Sequence, residues 1–358
     1  MFALNKIEIK GFRCYENATF NFENDNKVIF VGKNAIGKTS VVEAIYYLAF
    51  GRSFKTTKDD EIIQKNAKNN AMYIKATFNN GETTEIGYDG KNKLIKRNTK
   101  KIKTLSEMLG YFMIGLFTPD DLLLVKGDPK NRRKFIDLSL CQVDKEYLNA
   151  LQNAKNALKE RNEYLKTIDL SKKAVDYSFL DAITKAYIDA SETVEKKRTQ
   201  FIAEISDTVV DFVSLISTQQ DKVSLNYLPN VNVDNFWKTY AERKEYDISA
   251  KTTTWGINRD DFLVYINDSK AEDTASQGQI RTVCLALKLA VIKYYKKKTN
   301  NILIILDDIF SELDENRQNK ILEYVGENNQ VFITSTNINL LSEKVLKNSK
   351  IIEITRGE

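Results

Sequence analysis

The eight residues GKNAIGKT, Gly32 to Thr39, decide how this chain is read. They fit the pattern G-x-x-x-x-G-K-[ST], in which every fixed residue has a physical task. Glycine lets the backbone curl tightly enough for its N–H groups to cradle phosphate oxygens. A helix that follows aims its positive N-terminal end at the same phosphates. Lys38 adds a point charge beside the β- and γ-phosphates, and the Thr39 hydroxyl is a hard oxygen suited to magnesium. Gly32, Lys33, Asn34, Ala35, Ile36, Gly37, Lys38 and Thr39 are the expected ATP cradle. The flanks agree with it. KVIFVG (residues 27–32) is a short β-branched run ending in glycine, which predicts a buried strand. SVVEAIYYLAFG then sets Val41, Val42, Ile45 and Leu48 on one helical face, with Gly51 as the stop.

Working outward, ILIILDD (residues 302–308) is a second apolar strand that delivers two carboxylates at its C-terminal end, where ligands sit in open α/β sheets. Asp307 is the expected magnesium ligand beside Thr39, and Asp308 the group that orients or deprotonates an attacking water. Two aspartates can also merely close a strand; the phosphate loop decides against that reading. SQGQ (residues 276–279) precedes a helix expected to start near Arg281, and SELD (residues 311–314) follows the acidic strand. Each tetrapeptide alone reads as a polar turn. In the order phosphate loop, SQGQ, acidic strand, SELD, they match the ABC-type ATPases. There a serine at a helix N-terminus donates to the γ-phosphate of a nucleotide held by a second subunit. Ser276, Gly278 and Asp314 thus join the nucleotide site, with Lys38, Asp308 and Ser276 as the catalytic set.

The chain contains no histidine among its 358 residues, which excludes a Ser-His-Asp triad, a His-ligated zinc and a zinc-deaminase site. Its chemistry must run on carboxylates, lysine, hydroxyls, backbone amides and a borrowed Mg2+. Cys14, Cys141 and Cys284 are widely spaced with no CxxC pair, so they read as core thiols. A formal charge of +5 permits nucleic-acid binding without demanding it. No long uncharged apolar stretch and no leader-like N-terminus stand out, which predicts a cytoplasmic protein with no membrane partner.

LNKIEIKGFRCYENATFNF predicts two strands broken at Gly11, and residues 72–103 an antiparallel meander with turns at Asn80-Gly81 and Asp89-Gly90. Lys91, Lys93, Lys96, Arg97, Lys100, Lys101 and Lys103 load its last hairpin with positive charge. Beyond Pro129 the pattern turns helical. Tyr147, Leu151, Ala154, Leu158 and Leu165 make one stripe; Leu180, Ile183, Tyr187, Val194, Phe201, Ile205 and Phe212 make a longer one. VSLNYLP at 223–229 resumes strand character. The expected fold class is α/β, a two-lobed ABC/SMC-like P-loop ATPase head with an antiparallel β-subdomain and a helical insertion. The expected divisions are 1–130 for the N-terminal lobe, 131–222 for the helical arm and 223–358 for the C-terminal lobe.

Longer strings carry a family resemblance. PDDLLLVKGDPKNRRKFID (residues 119–137), GFRCYEN, LAFGRSFKT, GINRDD, SQGQIRTVCLALKLA and LDDIFSELD resemble, in this order, segments of the RecF family of bacterial recombination-repair ATPases. The similarity runs from about residue 7 to 345 and is weakest through the helical middle. Ala35 stands where that family usually has glycine, Ile257 where it has proline, and Asn258 where it has histidine. A γ-phosphate-sensing histidine is also missing, so Thr334, Ser335 or Thr336 would have to serve, and Thr118 to Asp121 replace a clear glutamine loop. The resemblance implies a weak DNA-stimulated ATPase of recombinational repair. ATP would drive a head-to-tail homodimer that clamps gapped single-strand/double-strand DNA, works with RecR and RecO, and helps load recombinase before slow hydrolysis resets it. Aspartate at 308, one methylene shorter than the glutamate of ABC transporters, fits slow turnover. For DNA contact the sequence offers charge alone, with Lys93, Lys96, Arg97, Arg132 and Arg133 as candidates, though the two arginines could equally form internal ion pairs. Rival readings are another ABC/SMC-like ATPase with no gap-repair role, such as a transporter motor, and a small-molecule kinase, in which SQGQ and SELD would have no task. An SMC-type coiled coil would need an insert far longer than Pro129 to Pro229.

Overall fold

The computed structural model describes residues 1–23, 25–168, 176–217 and 221–355. The chain forms two compact units, residues 1–121 with 285–358, and residues 122–284.

In the first unit five parallel strands form one sheet, in the order Lys350–Glu353, Lys27–Val31, Gln330–Ser335, Ile302–Asp307 and Met113–Phe117. Ile302–Asp307 is buried at every position, which explains its unbroken apolar run. A six-stranded antiparallel sheet lies in the same unit, ordered Tyr15–Asn21, Leu4–Phe12, Met72–Phe78, Thr83–Tyr88, Lys93–Arg97, Lys100–Ile102. Met72–Phe78 buries every second residue, as its alternation predicts. The expected break at Gly11 falls instead at Arg13 and Cys14. Leu4–Phe12 runs through Gly11, where φ is 60° and a Cβ would stand 2.3 Å from the Ala71 carbonyl oxygen, so only glycine fits. Helix Lys38–Phe50 touches strands of both sheets, so it is buried almost all round. It ends at Gly51 in the left-handed conformation, whose N–H bonds the Tyr47 carbonyl. Gln330 ties the two sheets: its amide bonds both the N–H and the carbonyl of Leu4.

The second unit is built on an antiparallel helix pair, Lys145–Thr167 and Tyr177–Ile216, with Tyr147 beside Arg198 and Arg161 beside Thr184. The longer stripe is buried as expected. On the shorter helix Leu158 is only half-buried, and Ala157 and Arg161 take the buried face. Arg161 tolerates this because its guanidinium pairs with the buried Asp247 at 2.9 Å, bonds Thr184 and Thr253, and lies over the rings of Tyr240 and Trp255. A three-stranded antiparallel sheet, ordered Ser269–Lys270, Asp261–Ile266, Val223–Leu228, completes the unit with helix Phe236–Ala250.

The boundaries 1–130, 131–222 and 223–358 therefore do not coincide with the compact units. Val223–Leu228 pairs with Asp261–Ile266 and packs on the long helix, which places residues 223–284 with the helices. Only within helix Gln277–Lys296 does the chain pass back to the first unit.

A buried polar network holds the second unit together. Arg198, 2% exposed, bonds Asp137 at 2.8 Å, Asp260 at 2.9 Å and the Ile257 carbonyl at 2.8 Å. Tyr147 donates to Asp137 at 2.5 Å and Tyr227 to Asp260 at 2.7 Å. Burial pushes the Asp137 carboxyl up, but the charges of Arg198 and Lys155 and the Tyr147 hydrogen bond outweigh it and hold its pKa below the ordinary aspartate value. Because the folded pKa is depressed, this contribution is present above the unfolded pKa and is lost as pH falls through the folded one. Arg198→Met leaves both carboxylates short of their cation and should cost about 3–5 kcal/mol. Both tryptophans, Trp237 and Trp255, lie in this unit, so urea unfolding followed by tryptophan fluorescence reads the loss directly. A shift within about 0.5 kcal/mol, the range of an ordinary surface substitution, would remove the network from the account.

Candidate functional site

The phosphate-loop residues 32–37 connect strand Lys27–Val31 to helix Lys38–Phe50, so the helix N-terminus and the strand end converge on one spot. Gly37 sits at φ 121°, and a Cβ there would stand 2.7 Å from both Cys14 Sγ and the Tyr15 hydroxyl; only glycine fits. Ala35 adopts φ 64°, the left-handed region that costs an L-residue strain. Lys38, 6% exposed, folds onto the loop and donates to the carbonyls of Gly32 at 2.7 Å and Lys33 at 2.8 Å. Burial lowers its pKa, and the nearby carboxylates of Asp308 and Asp307 oppose that shift.

The acidic strand lies across the parallel sheet from this loop, with Gln330–Ser335 between them. Asp307 Oδ1 accepts from Thr39 Oγ1 at 2.9 Å and from Thr334 Oγ1 at 2.7 Å, while Thr334 Oγ1 accepts from the Asp308 N–H at 3.0 Å. Asp308 takes φ 54°, strain that a non-glycine residue keeps where the surroundings enforce it and that concentrates at functional sites. Its Oδ1 is buried with no hydrogen-bond partner among the described residues. Burial, then the Asp307 charge, raises its pKa, with Lys38 opposing. A carboxylate with a free lone pair and a raised pKa is equipped to take a proton from water. Thr39 and Asp307 present hard oxygens. Magnesium takes one or two such protein groups and completes its octahedron with water and phosphate oxygens, so this donor set fits it.

SQGQ opens its helix rather than preceding it. The Ser276 hydroxyl accepts from the Gln279 N–H at 3.2 Å and the Gln279 side chain accepts from the Ser276 N–H at 2.9 Å, a reciprocal capping box at the start of Gln277–Lys296. Ser276, Gln277 and Gly278 are exposed. Ser276 and Gly278 belong to the 122–284 unit, the phosphate loop to the other. Asp314 caps helix Glu315–Gly326 by accepting from the Arg317 N–H at 3.0 Å. Of the three switch candidates, Thr334 is engaged with the aspartates, and Ser335 donates to the Asn337 carbonyl at 2.9 Å. Thr336 is half-buried. In the 118–121 turn, Asp121 accepts from the Thr118 N–H at 2.9 Å and pairs with Lys288 at 2.7 Å.

The structure gives most of the basic candidates internal partners. Lys93 bonds Asp59 and the Gly51 carbonyl, each at 2.6 Å, and lies over the Tyr47 ring. Arg97 stacks 4.2 Å over Tyr111 and bonds the Met108 carbonyl. Arg132, 4% exposed, forks onto Asp261 at 2.6 and 2.9 Å, and Arg133 bonds the Asp260 carbonyl at 2.7 Å. These four cations hold their own units together. Lys96 is half-buried, registers between Glu85 and Lys101 in the sheet, and keeps its candidacy.

Sequence reasoning missed the turn at Arg13–Tyr15. Cys14 is exposed rather than a core thiol, with Sγ 3.8 Å from the Ile36 carbonyl; Cys141 is half-buried, and Cys284 alone of the three is buried. The Tyr15 hydroxyl donates to the Gly37 carbonyl at 3.3 Å. No local pattern announces such contacts, which join residues 22 positions apart.

Residues 3–357 match the RecF/RecN/SMC N terminal domain family. The chain is 39% identical over 350 residues to the DNA replication and repair protein RecF of Streptococcus thermophilus, covering 95% of this chain and 93% of that one. It is 34% identical over 368 residues to the RecF of Halalkalibacterium halodurans, covering 99% and 98%. Among solved structures it is similar to the recombination mediator protein RecF with ATP, of the RecFOR pathway, at TM-score 0.87 and 28% identity over 94% of this chain and 92% of that one. The Smc head domain of Pyrococcus furiosus, at TM-score 0.56 and 18% identity over 100% and 95%, shares the fold.

Ala35 offers a direct test of loop strain. A left-handed alanine costs about 1–2 kcal/mol, and glycine returns roughly 0.5–1 kcal/mol of that through the freedom of the unfolded chain. Ala35→Gly should therefore raise the urea stability of the first unit by up to about 1 kcal/mol, read by circular dichroism. A lowered midpoint would mean that the neighbouring residues fully compensate the strain.

Proposed function

The chain belongs to the RecF family, and from that premise we propose that it is an ATP-dependent DNA-repair protein whose nucleotide sits in the residue 32–39 loop. The observation that carries the reading is the convergence of Lys38, Thr39, Asp307 and Asp308, which two separate sequence patterns could only suggest. In the proposed cycle Lys38 leaves the loop carbonyls for the β- and γ-phosphates. Thr39 and Asp307 hold magnesium, which supplies neutralisation of phosphate charge. Asp308 orients water and accepts its proton. Its raised pKa sets the acid limb: ATPase activity should fall, as pH drops, at a higher pH than an ordinary aspartate would give. Asp308→Asn should lower kcat by about 100-fold or more while ATP affinity changes little.

Ser276 supports a composite site. A capped serine and a bare glycine at an exposed helix N-terminus form a place for the terminal phosphate of a partner's nucleotide. Two copies would then pair head-to-tail, with Gly278 beside Ser276 at the seam. The paired heads would clamp gapped DNA with Lys96 and Lys101 among the phosphate contacts, act with RecR and RecO, and hydrolyse ATP slowly, faster when DNA is bound. No helix among the described residues is long and apolar enough to cross a membrane.

The deciding experiment is solution mass by light scattering without nucleotide, with ATP, and with ATP after Ser276→Arg. ATP should double the mass of the wild type and leave the variant unchanged. A wild-type mass that ignores ATP would sink the sandwich dimer, leaving Lys38 to serve a monomeric nucleotide switch.

A further inference from the structure

We infer that Arg13 and Glu43 are positioning residues for the phosphate loop, an ion-pair clasp that holds the Arg13–Tyr15 turn against Gly37. Glu43 lies on helix Lys38–Phe50, one turn beyond Thr39, and is 1% exposed. Arg13 grips both of its oxygens, Nε to Oε2 at 2.8 Å and Nη2 to Oε1 at 2.5 Å, and the Ser53 hydroxyl donates to the same carboxylate. Burying a carboxylate is costly unless it is paired and hydrogen-bonded, and Arg13 and Ser53 supply both for Glu43. Arg13 also donates to the Glu61 carbonyl at 2.9 Å, so its guanidinium is fixed in orientation as well as in charge.

The clasp demands a bent backbone. Arg13 takes φ 54°, a conformation that a long side chain adopts only where its surroundings impose it. The two residues that follow this bend both touch the loop. Cys14 Sγ reaches the Ile36 carbonyl at 3.8 Å and Ser40 Oγ at 3.9 Å, and the Tyr15 hydroxyl reaches the Gly37 carbonyl at 3.3 Å. A simple structural ion pair would need neither the strain nor the consecutive contacts. Their combination gives the pair a purpose: it fixes the curl in which the loop's N–H groups converge on phosphate. Arg13 and Glu43 act through Cys14, Tyr15 and the helix, and neither is assigned a contact with the nucleotide.

The inference rests on the nucleotide reading, and the test separates the two. Glu43→Gln keeps the shape and the Ser53 bond but removes the charge; Arg13→Lys keeps the charge but loses the fork. In the full-length chain both should raise the Kd for a non-hydrolysable ATP analogue and the KM for ATP about tenfold, the loss expected for a bidentate contact, with kcat within about threefold. Hydrogen exchange at the amides of residues 32–37, measured without nucleotide, should speed up by a similar factor. The double variant Arg13→Gln/Glu43→Gln, whose amides can bond each other, should recover most of the affinity. Folded variants with unchanged KM and unchanged loop exchange, but a lower melting temperature, would overturn the proposal and leave a structural ion pair. If Glu43→Gln fails to fold, Arg13→Lys decides alone, because Arg13 lies partly at the surface. A wild-type protein that binds no ATP analogue would defeat the nucleotide reading instead, and loop exchange would still judge the clasp.

Discussion

Asp307 receives hydrogen bonds from Thr39, 268 positions earlier, and from Thr334, 27 positions later. That one carboxylate joins the loop-bearing helix to two adjacent strands of the parallel sheet. Hydrogen bonds of this kind need both partners within about 3 Å, so the strands must lie in the observed order for the chemistry to exist. The sheet supplies the order through burial. Its central strands hide every side chain, and only a doubly covered parallel sheet accommodates such strands without exposing apolar surface. The carboxylates emerge where the strand ends, and the neighbouring Asp308 takes up the backbone strain.

Cations in this chain divide into those that hold the fold and those left to solvent. Arg132, Arg133, Arg161 and Arg198 sit in the second unit as hydrogen-bonded centres, each meeting carboxylates or carbonyls, and Arg132 forks onto both oxygens of Asp261. Asp137 and Asp260–Asp261, from two distant strings, meet around these arginines. The strings that mark the family are thus, at these positions, the partners of an internal ion network. Lys93 and Arg97 have a similar place in the antiparallel sheet, against Asp59 and Tyr111. A basic segment read along the chain shows charge; whether that charge is spent internally depends on residues far away.

Much of the fold was legible. The phosphate loop, its strand and helix, the meander, the two helical stripes and the acidic strand all follow from period and turn chemistry, which act over a few residues. The errors share one cause. Gly11 answers the close approach of Ala71 rather than a turn, and Leu158 yielded its buried place because Arg161 found Asp247. Strand Val223–Leu228 joined the helices because its partner is Asp261–Ile266. Cys14 looked like a core thiol until the turn brought it to the loop.

The sequence by itself determined the class of machine: a glycine-framed lysine and threonine, two aspartates closing a buried strand, and the serine of SQGQ each carry their chemistry in residue type and order. Tertiary structure decided which of these groups meet, which arginines are internal, and that Arg13 and Glu43 stand behind the loop. The physical reason is range. Backbone propensity and amphipathic period are local, whereas hydrogen bonds, ion pairs and desolvation depend on atoms a few ångströms apart in space whatever their separation along the chain.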